Sequence, residues 1–275
     1  MLGSAVIAAA RAAGHNVQAP PHSVLPIERA FNAPLVGADI RADGLPEVII
    51  NCAGRRAEGG LEPFTLMQAN ASGPHSLAIY ASRAGAHLVH ISTDCVFDGQ
   101  KPPPAMYSVE DVPAPESVYG ASKRAGEVGL PPDTLIIRTS FIGFRHGLLA
   151  WYIREATADR RTPAWTQAWW SGSTAGEVAR AVVSLATDMS RRGVEHLATA
   201  EPISKDIVLE LTATAFNLLP ARLDLLEYGL NRALRPSLTV TLPSLTPAMI
   251  RDEALRDSGA FAALFQNTEA PTHAS

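Results

Sequence analysis

The sequence predicts an α/β fold in which helices cover both faces of a mainly parallel sheet. Three observations predict it: short apolar runs rich in β-branched residues alternate with helical segments, Pro or Gly bounds most of these runs, and the runs are mostly apolar rather than alternating with polar residues. A strand that is buried on both faces has this continuous apolar pattern. At 275 residues, 47% of them hydrophobic, the chain is long enough for a substantial core.

The first elements follow from local signals. Alanine dominates residues 2–13, which predicts a helix that Gly14 ends. Residues 15–19 form a candidate short strand. Residues 47–52 predict a buried strand that runs into the small-residue turn at Gly54.

The alternation continues through the middle of the chain. A helix is predicted over 62–84, a second buried strand over 86–92, and a helix that begins near Ser117 and ends near Gly129. Residues 134–139 form the next strand. Strands that alternate with helices in this way are typical of βαβ units.

After residue 140 the pattern becomes more helical, with one strand candidate at 237–242. Helices are predicted over 147–158, 174–189, 203–217 and 246–257. We therefore predict a dinucleotide-binding, Rossmann-type doubly wound sheet domain over 1–145. A mainly helical substrate lobe over 146–265 is interleaved with it, and a disordered tail covers 266–275.

Composition excludes several classes of function. A net charge of −4 and a pI near 6.1 give no basic surface for nucleic acid or an anionic membrane. No apolar run reaches the length of about 20 residues that spans a bilayer, and no basic segment precedes the first apolar stretch, so no signal peptide is predicted. The scattered histidines predict no metal site, and two cysteines favour a reduced, cytoplasmic setting. The sequence leaves open whether the chain forms a homodimer.

Tyr119 and Lys123 are four residues apart in a predicted helix and therefore share one face. An ammonium beside a phenol favours phenolate, so we expect Lys123 to lower the pKa of Tyr119 and prepare it for proton transfer. The alternative is a chance pair on a solvated helix face. Against this alternative, the chain has only three lysines, Lys101, Lys123 and Lys205.

The chain begins inside the unit that normally opens a dinucleotide fold. Met1, Leu2 and Gly3 match the last three positions of a Gly-x-x-Gly-x-x-Gly turn, and the strand before that turn has no counterpart. Two interpretations stay open. Either the recorded chain starts at an internal Met of a fuller product, or it is a degenerate family member with impaired cofactor binding.

Taken together, these segments resemble the extended short-chain dehydrogenase/reductases, most closely the dTDP-4-dehydrorhamnose reductase family. The resemblance covers residues 2–258, and the combination of a Ser-Thr-Asp-x-Val-Phe-Asp-Gly element with a Tyr-x-x-x-Lys motif makes it specific. The matching segments are 2–4, 48–53, Asn70, 90–99, 118–127 and 136–140.

The resemblance implies a reaction and a set of roles. Tyr119 would protonate the C4 oxygen of a nucleotide-linked 4-keto-6-deoxysugar as a nicotinamide delivers hydride to C4. Lys123 would hold the nicotinamide ribose, and Thr93, with Ser92 as its rival, would position the substrate oxygen. The residues implied to line the cofactor are Gly3, Asn51, Ala53, Gly54, Asn70 and Lys123.

The implied substrate contacts are Thr93, Asp94, Trp169 and Trp170, although lobe packing is the alternative for the tryptophans and a turn-forming role for Asp94 and Asp98. Residues 18–21 include no acidic group for a ribose 2′-hydroxyl, which favours NADP(H) over NAD(H). Cys95 stands where the family usually has Tyr.

Two functions from different classes follow. The first is an NADP(H)-dependent oxidoreductase of dTDP-rhamnose or polysaccharide biosynthesis, with an epimerase or dehydratase as a variant within the enzyme class. The second is a non-catalytic regulatory subunit of the same superfamily, like the methionine adenosyltransferase β subunit. The incomplete Gly-rich turn favours the second class, whereas Thr93, Tyr119 and Lys123 favour the first.

Overall fold

The computed structural model describes residues 1–21, 25–27, 45–56, 62–218, 222–237 and 240–266. The strands, numbered along the chain, are β1 (Val48–Asn51), β2 (His87–Thr93), β3 (Leu135–Thr139), β4 (Phe141–Ile142), β5 (Thr162–Trp165), β6 (Trp169–Trp170), β7 (Ser173–Thr174), β8 (Gly193–Leu197), β9 (Ile203–Ser204) and β10 (Leu223–Leu226). The helices are α1 (Leu2–Ala12), α2 (Pro63–Met67), α3 (Gly73–Ala84), α4 (Val118–Glu127), α5 (Leu148–Thr157), α6 (Ala175–Ala186), α7 (Lys205–Phe216), α8 (Pro247–Arg256) and α9 (Ser258–Gln266).

A four-stranded parallel sheet in the order β1-β2-β3-β8 forms the centre of the molecule. Alternate residues of β2 point to opposite faces of the sheet. Val89 and Ile91 pack on the face covered by α1 and α6, while Leu88 packs against α3 on the other face. The predicted α/β class, with a doubly wound parallel sheet, is confirmed.

Most predicted elements of the first half are present within a residue or two of their expected bounds. The helix expected over 62–84 consists of α2 and α3, joined by a π-helical turn, Gln68–Ser72. Gly14, with φ of +86°, follows the end of α1 as expected. These outcomes reflect local signals that the tertiary structure did not override.

The structure differs from the expectations in several places, and the short strands β4–β7, β9 and β10 were not predicted. Residues 15–19 form no strand, and within the described residues the sheet ends at β1. β8 was not predicted, since the polar Glu195 and His196 break its apolar run. A further helix, α9, follows the predicted end of the last helix.

Two expectations fall wholly or partly outside the described residues. Of the strand candidate at 237–242, Leu242 forms an isolated bridge with Thr199, while residues 238–239 lie outside the described part. The tail after Gln266 lies outside it too. The division into domains at residue 145 stays a prediction.

A second hydrophobic cluster lies in the C-terminal half, where α5, α7, α8 and α9 pack together. Its largest side chains include Phe144, Leu149 and Trp170. Glu253 of α8 accepts a hydrogen bond from the backbone N–H of Gly176 at 2.9 Å and so ties this cluster to α6. Within the described ranges, no helix combines the length and apolar character needed to cross a membrane.

Candidate active site

Two neighbouring hydroxyls at the carboxyl end of β2, those of Ser92 and Thr93, have different hydrogen-bond partners. Ser92 donates a hydrogen bond to Oε1 of Glu127 at 2.5 Å. Thr93 accepts one from the backbone N–H of Cys95 at 3.2 Å and donates to Oδ1 of Asp94 at 3.0 Å, which caps the 3₁₀ turn Asp94–Val96. The hydroxyl of Thr93 also hydrogen-bonds the side chain of Tyr119. Of the two rivals, Thr93 is therefore the one beside the tyrosine.

Helix α4 approaches the strand ends closely because two of its residues are glycines. Ser117 caps the helix by accepting a hydrogen bond from the N–H of Gly120 at 3.0 Å. A Cβ at Gly120 would lie 2.1 Å from the carbonyl oxygen of Cys95, and one at Gly126 would lie 2.0 Å from that of Asn70. Both positions require glycine because another backbone segment occupies the space of a side chain.

Tyr119 is more buried than its sequence position suggests. The pKa of Tyr119 is raised to about 12: burial is the largest cause and Cys95 and Asp94 add to it, while the hydrogen bond with Thr93 and the charge of Arg56 act against them. The expected lowering of the pKa by Lys123 is wrong for this structure, because burial is the largest effect. The phenol therefore remains protonated at neutral pH.

Lys123 lies one helical turn beyond Tyr119 and is only 5% exposed. Its Nζ donates to the carbonyl oxygen of Ile91 at 2.7 Å. Burial lowers the pKa of Lys123 to about 8, whereas the carboxylate of Glu127 acts to raise it. A lysine held in this way is charged at neutral pH, close to its titration range.

Asn70, which is completely buried, joins the loop after β1 to α4. Its Oδ1 accepts from the N–H of Arg55 at 2.8 Å, and its Nδ2 donates to the carbonyl of Arg55 at 2.8 Å and to Oγ of Ser122 at 2.9 Å. The π-helical turn that carries Asn70 is a feature often found at functional sites. Asn70 is thus linked to Ser122, the residue that precedes Lys123. A Cβ on Gly54 would lie 3.1 Å from Oδ1 of Asn70.

The end of β1 contributes a second polar contact. Nδ2 of Asn51 lies 3.1 Å from Nδ1 of His90, and its Oδ1 accepts from the N–H of Ala53 at 3.1 Å. Burial lowers the pKa of His90 well below its usual value, so its ring is neutral. Gly3, at the start of α1, is near the same edge, since a Cβ there would lie 3.6 Å from Cβ of Cys52.

The two tryptophans differ in their surroundings. Trp170 is 6% exposed, packs in the C-terminal cluster and donates its Nε1–H to Oγ of Ser140 at 2.8 Å. These contacts favour lobe packing for Trp170 over stacking on a substrate. Trp169 is partly buried, and its carbonyl accepts from the N–H of Arg232 at 3.1 Å.

Arg232 and Arg56 are neighbours of the site that sequence reasoning did not find. Nε of Arg232 donates to the carbonyl of Phe97 at 3.2 Å, and its Nη1 lies 3.8 Å from Sγ of Cys95. Arg56, in the loop after β1, carries a positive charge that acts to lower the pKa of Tyr119. No motif marks either residue, because both reach the site only through the tertiary fold.

The aspartates of the loop after β2 have local partners. Oδ1 of Asp98 accepts from the phenol of Tyr107 and from the N–H of Gln100, the latter at 3.1 Å. Asp94 accepts from Thr93. These contacts are those of turn-forming residues. In the described part of the chain, no group of three or more His, Cys, Asp or Glu side chains could hold a metal ion.

The residues at this edge of the sheet fit a nicotinamide dinucleotide. α1 begins here with no acidic residue in its first turn, which leaves a positive helix end of the kind that binds phosphate. Gly54 gives close access to backbone, and Lys123 places an ammonium below it, 3.9 Å from where a Cβ of Gly54 would lie. These residues lie outside the carboxyl ends of parallel strands, where open α/β sheets bind ligands.

Comparison with known proteins gives the family. The model of the RmlD substrate binding domain matches residues 1–220. The probable low-salt glycan biosynthesis reductase Agl14 of Haloferax volcanii is 32% identical over 225 residues, which are 74% of this chain and 73% of that protein. The chain belongs to the dTDP-4-dehydrorhamnose reductase family. This assignment confirms the expected resemblance.

Other relatives match this chain over shorter stretches of sequence. The dTDP-4-dehydrorhamnose reductase of Mycobacterium tuberculosis H37Rv is 32% identical over 169 residues, 58% of this chain and 56% of that protein. Methionine adenosyltransferase 2 subunit beta of Pongo abelii is 42% identical over 95 residues, 34% of this chain and 28% of that protein. The chain therefore spans only part of the length of these relatives.

Solved structures of dTDP-4-dehydrorhamnose reductases share the fold. The one from Clostridium acetobutylicum has a TM-score of 0.77 at 20% identity and covers 94% of this chain and 96% of that one. The one from Bacillus anthracis, solved in complex with NADP, has a TM-score of 0.75 at 20% identity and covers 93% and 94%.

Proposed function

We propose that this chain reduces the 4-keto group of a nucleotide-linked deoxysugar with NADP(H), and that Tyr119 is the proton donor. The observation that carries the proposal is the meeting of Thr93, Tyr119 and Lys123 at the carboxyl end of β2, with Thr93 hydrogen-bonded to Tyr119. The names of the family's reductases support this substrate class.

The protonation state of Tyr119 suits an acid in the direction of reduction. Because burial raises the pKa of Tyr119 to about 12, the phenol carries its proton at neutral pH. A bound nicotinamide would supply hydride to C4, and Tyr119 would give its proton to the C4 oxygen, so that the ketone becomes an alcohol. The resulting phenolate is stabilised by Thr93 and Arg56 and recovers a proton from solvent.

Other residues of the edge hold and orient the cofactor in this proposal. The charged Lys123 would hold the nicotinamide ribose, and Asn70 fixes the loop of Gly54 against α4. Gly3, Asn51 and Ala53 complete the lining. We favour NADP(H) over NAD(H) because residues 18–21 offer no carboxylate to a ribose 2′-hydroxyl. Thr93 and Asp94, with Trp169, are the proposed contacts of the sugar nucleotide.

The test is the oxidation of NADPH by this chain in the presence of dTDP-4-dehydrorhamnose. Tyr119→Phe removes the proton donor and keeps the ring, so we expect turnover to fall by about 10²–10⁴-fold while the Kd of NADPH stays nearly constant. Tyr228→Phe is the matched control, because Tyr228 is 68% exposed. If NADPH fails to bind at millimolar concentration, or if Tyr119→Phe turns over normally, the proposal is wrong.

A second candidate is a non-catalytic regulatory subunit that binds a cofactor or sugar nucleotide. The 42% identity to methionine adenosyltransferase 2 subunit beta over 95 residues favours it. The same NADPH experiments separate the two candidates. Binding of NADPH together with no reduction of any 4-keto sugar nucleotide by the unmodified chain would favour the regulatory subunit.

A further inference from the structure

Glu127, at the end of α4, is a buried charged residue that the proposed reaction does not use. Its side chain is completely buried, and that of Arg138 is 3% exposed. Arg138 donates from Nη2 to Oε2 at 2.7 Å and from Nε to Oε1 at 3.0 Å. Ser92 donates to Oε1 at 2.5 Å, and Arg124 donates to Oε2 at 2.9 Å. Hydrogen bonds from Arg138, Ser92 and Arg124 thus fix the position of this carboxylate.

Glu127 lies on the same stripe of α4 as the residues of the candidate site. Tyr119, Lys123 and Glu127 are spaced four residues apart, so they are neighbours along one helix face. Lys123 bonds the carbonyl of Ile91, Glu127 bonds Ser92, and Tyr119 bonds Thr93. The stripe is therefore attached to three consecutive residues of β2.

The charge of Glu127 compensates for the burial of Lys123. Burial favours the neutral amine, and Glu127 and Cys52 are the groups that favour its charged form. The thiol of Cys52 is neutral, because burial raises the pKa of Cys52 to about 12. His90, which packs near Lys123 from β2, is also neutral because burial lowers its pKa. Glu127 therefore supplies the negative charge.

Glu127 itself remains ionised. Burial acts to raise the pKa of Glu127, but hydrogen bonds and charge from Arg138, with hydrogen bonds from Ser92 and Arg124, outweigh burial and lower it. The carboxylate is consequently a fixed negative charge one helical turn from Lys123.

We propose that Glu127 is a positioning residue that keeps Lys123 charged and keeps its side chain in place one helical turn beyond Tyr119. The effect on turnover rests on the proposed function, whereas the effect on the charge of Lys123 does not. Glu127 touches neither substrate nor cofactor in this proposal and acts through Lys123.

The direct test measures the titration of Lys123 in the full chain. With lysine labelled with ¹³C at Cε, the chain gives signals from three lysines only, and the Lys101→Arg and Lys205→Arg variants assign the signal of Lys123. In Glu127→Gln the pKa of Lys123 should fall from about 8 by on the order of one unit, since a nearby negative charge is lost.

Two further variants make the test decisive. Glu155→Gln is the matched control, because Glu155 of α5 forms a two-point pair with Arg160 at 2.6 and 2.9 Å but lies at the surface. It should leave the pKa of Lys123 unchanged. Glu127→Asp keeps the charge farther from Lys123 and should cause a smaller fall, which provides the measurement if the Gln variant does not fold. An unchanged pKa of Lys123 in these Glu127 variants would overturn the proposal.

Kinetics give a second readout. In Glu127→Gln, the loss of NADPH affinity and turnover at alkaline pH should move to lower pH by the same amount as the NMR titration, a shift that mere destabilisation would not produce. A shifted NMR titration in a chain that lacks turnover altogether would refute the proposed function and leave the role of Glu127 standing.

Discussion

The contact between Gly120 and the turn after β2 is open to a direct test by Gly120→Ala. The added Cβ would lie 2.1 Å from the carbonyl oxygen of Cys95 and 3.0 Å from Cβ of Pro115. Non-bonded carbon and oxygen atoms approach to about 3.3 Å, so α4 and the turn must separate by roughly 1 Å. Neither the backbone carbonyl nor a proline ring can rotate away, and the whole segment has to move.

The expected effects follow from that displacement. Overpacking of this kind should lower the free energy of unfolding by about 1–3 kcal/mol. This net loss remains although replacing a helical glycine by itself raises that free energy by about 0.5–1 kcal/mol. Because Tyr119 precedes Gly120 and bonds Thr93 of the displaced turn, a misplacement of about 1 Å should lower turnover by roughly 10²-fold. Urea denaturation followed by circular dichroism measures the first effect, and NADPH oxidation measures the second.

Gly259→Ala is the matched control for this prediction. Gly259 is also helical, but an added Cβ would meet no described atom within 4 Å. Its stability should stay the same or rise by up to about 1 kcal/mol. Equal urea midpoints for Gly120→Ala and the unmodified chain, together with normal turnover, would refute the close approach of α4 to Cys95.

Two other predictions concern buried polar groups. Asn70→Asp removes the donor to Arg55 and Ser122, so the free energy of unfolding should fall by at least about 2 kcal/mol. The control Asn217→Asp, at an exposed position, should change it by less than about 0.5 kcal/mol. Similar losses in both variants would contradict the role of Asn70. Burial lowers the pKa of His196 to about 4 in the folded chain, whereas in the unfolded chain it is about 6.5. As the pH falls, the unfolded state therefore binds this proton first, and the free energy of unfolding decreases below about pH 6.5. Between pH 7 and pH 5 the unmodified chain should lose about 2 kcal/mol more than His196→Gln, and parallel stability curves would show that His196 is not the cause.

Local sequence patterns predicted most of the fold. Runs with an apolar centre give β1, β2 and β3, and Gly14 and Ser117 mark helix ends. These signals depend on neighbours in the sequence, and therefore survive without knowledge of the tertiary structure. β8 was missed because the polar Glu195 and His196 obscure its strand pattern.

By itself, the sequence determined the order of the motifs and the spacing of Tyr119 and Lys123, and with them the family. The tertiary structure decided which hydroxyl of β2 meets Tyr119, that Arg232 reaches Cys95, and that the pKa of Tyr119 is raised rather than lowered. The physical reason is that spacing along a helix is a local property, whereas burial and the partners of a side chain depend on segments far apart in the chain.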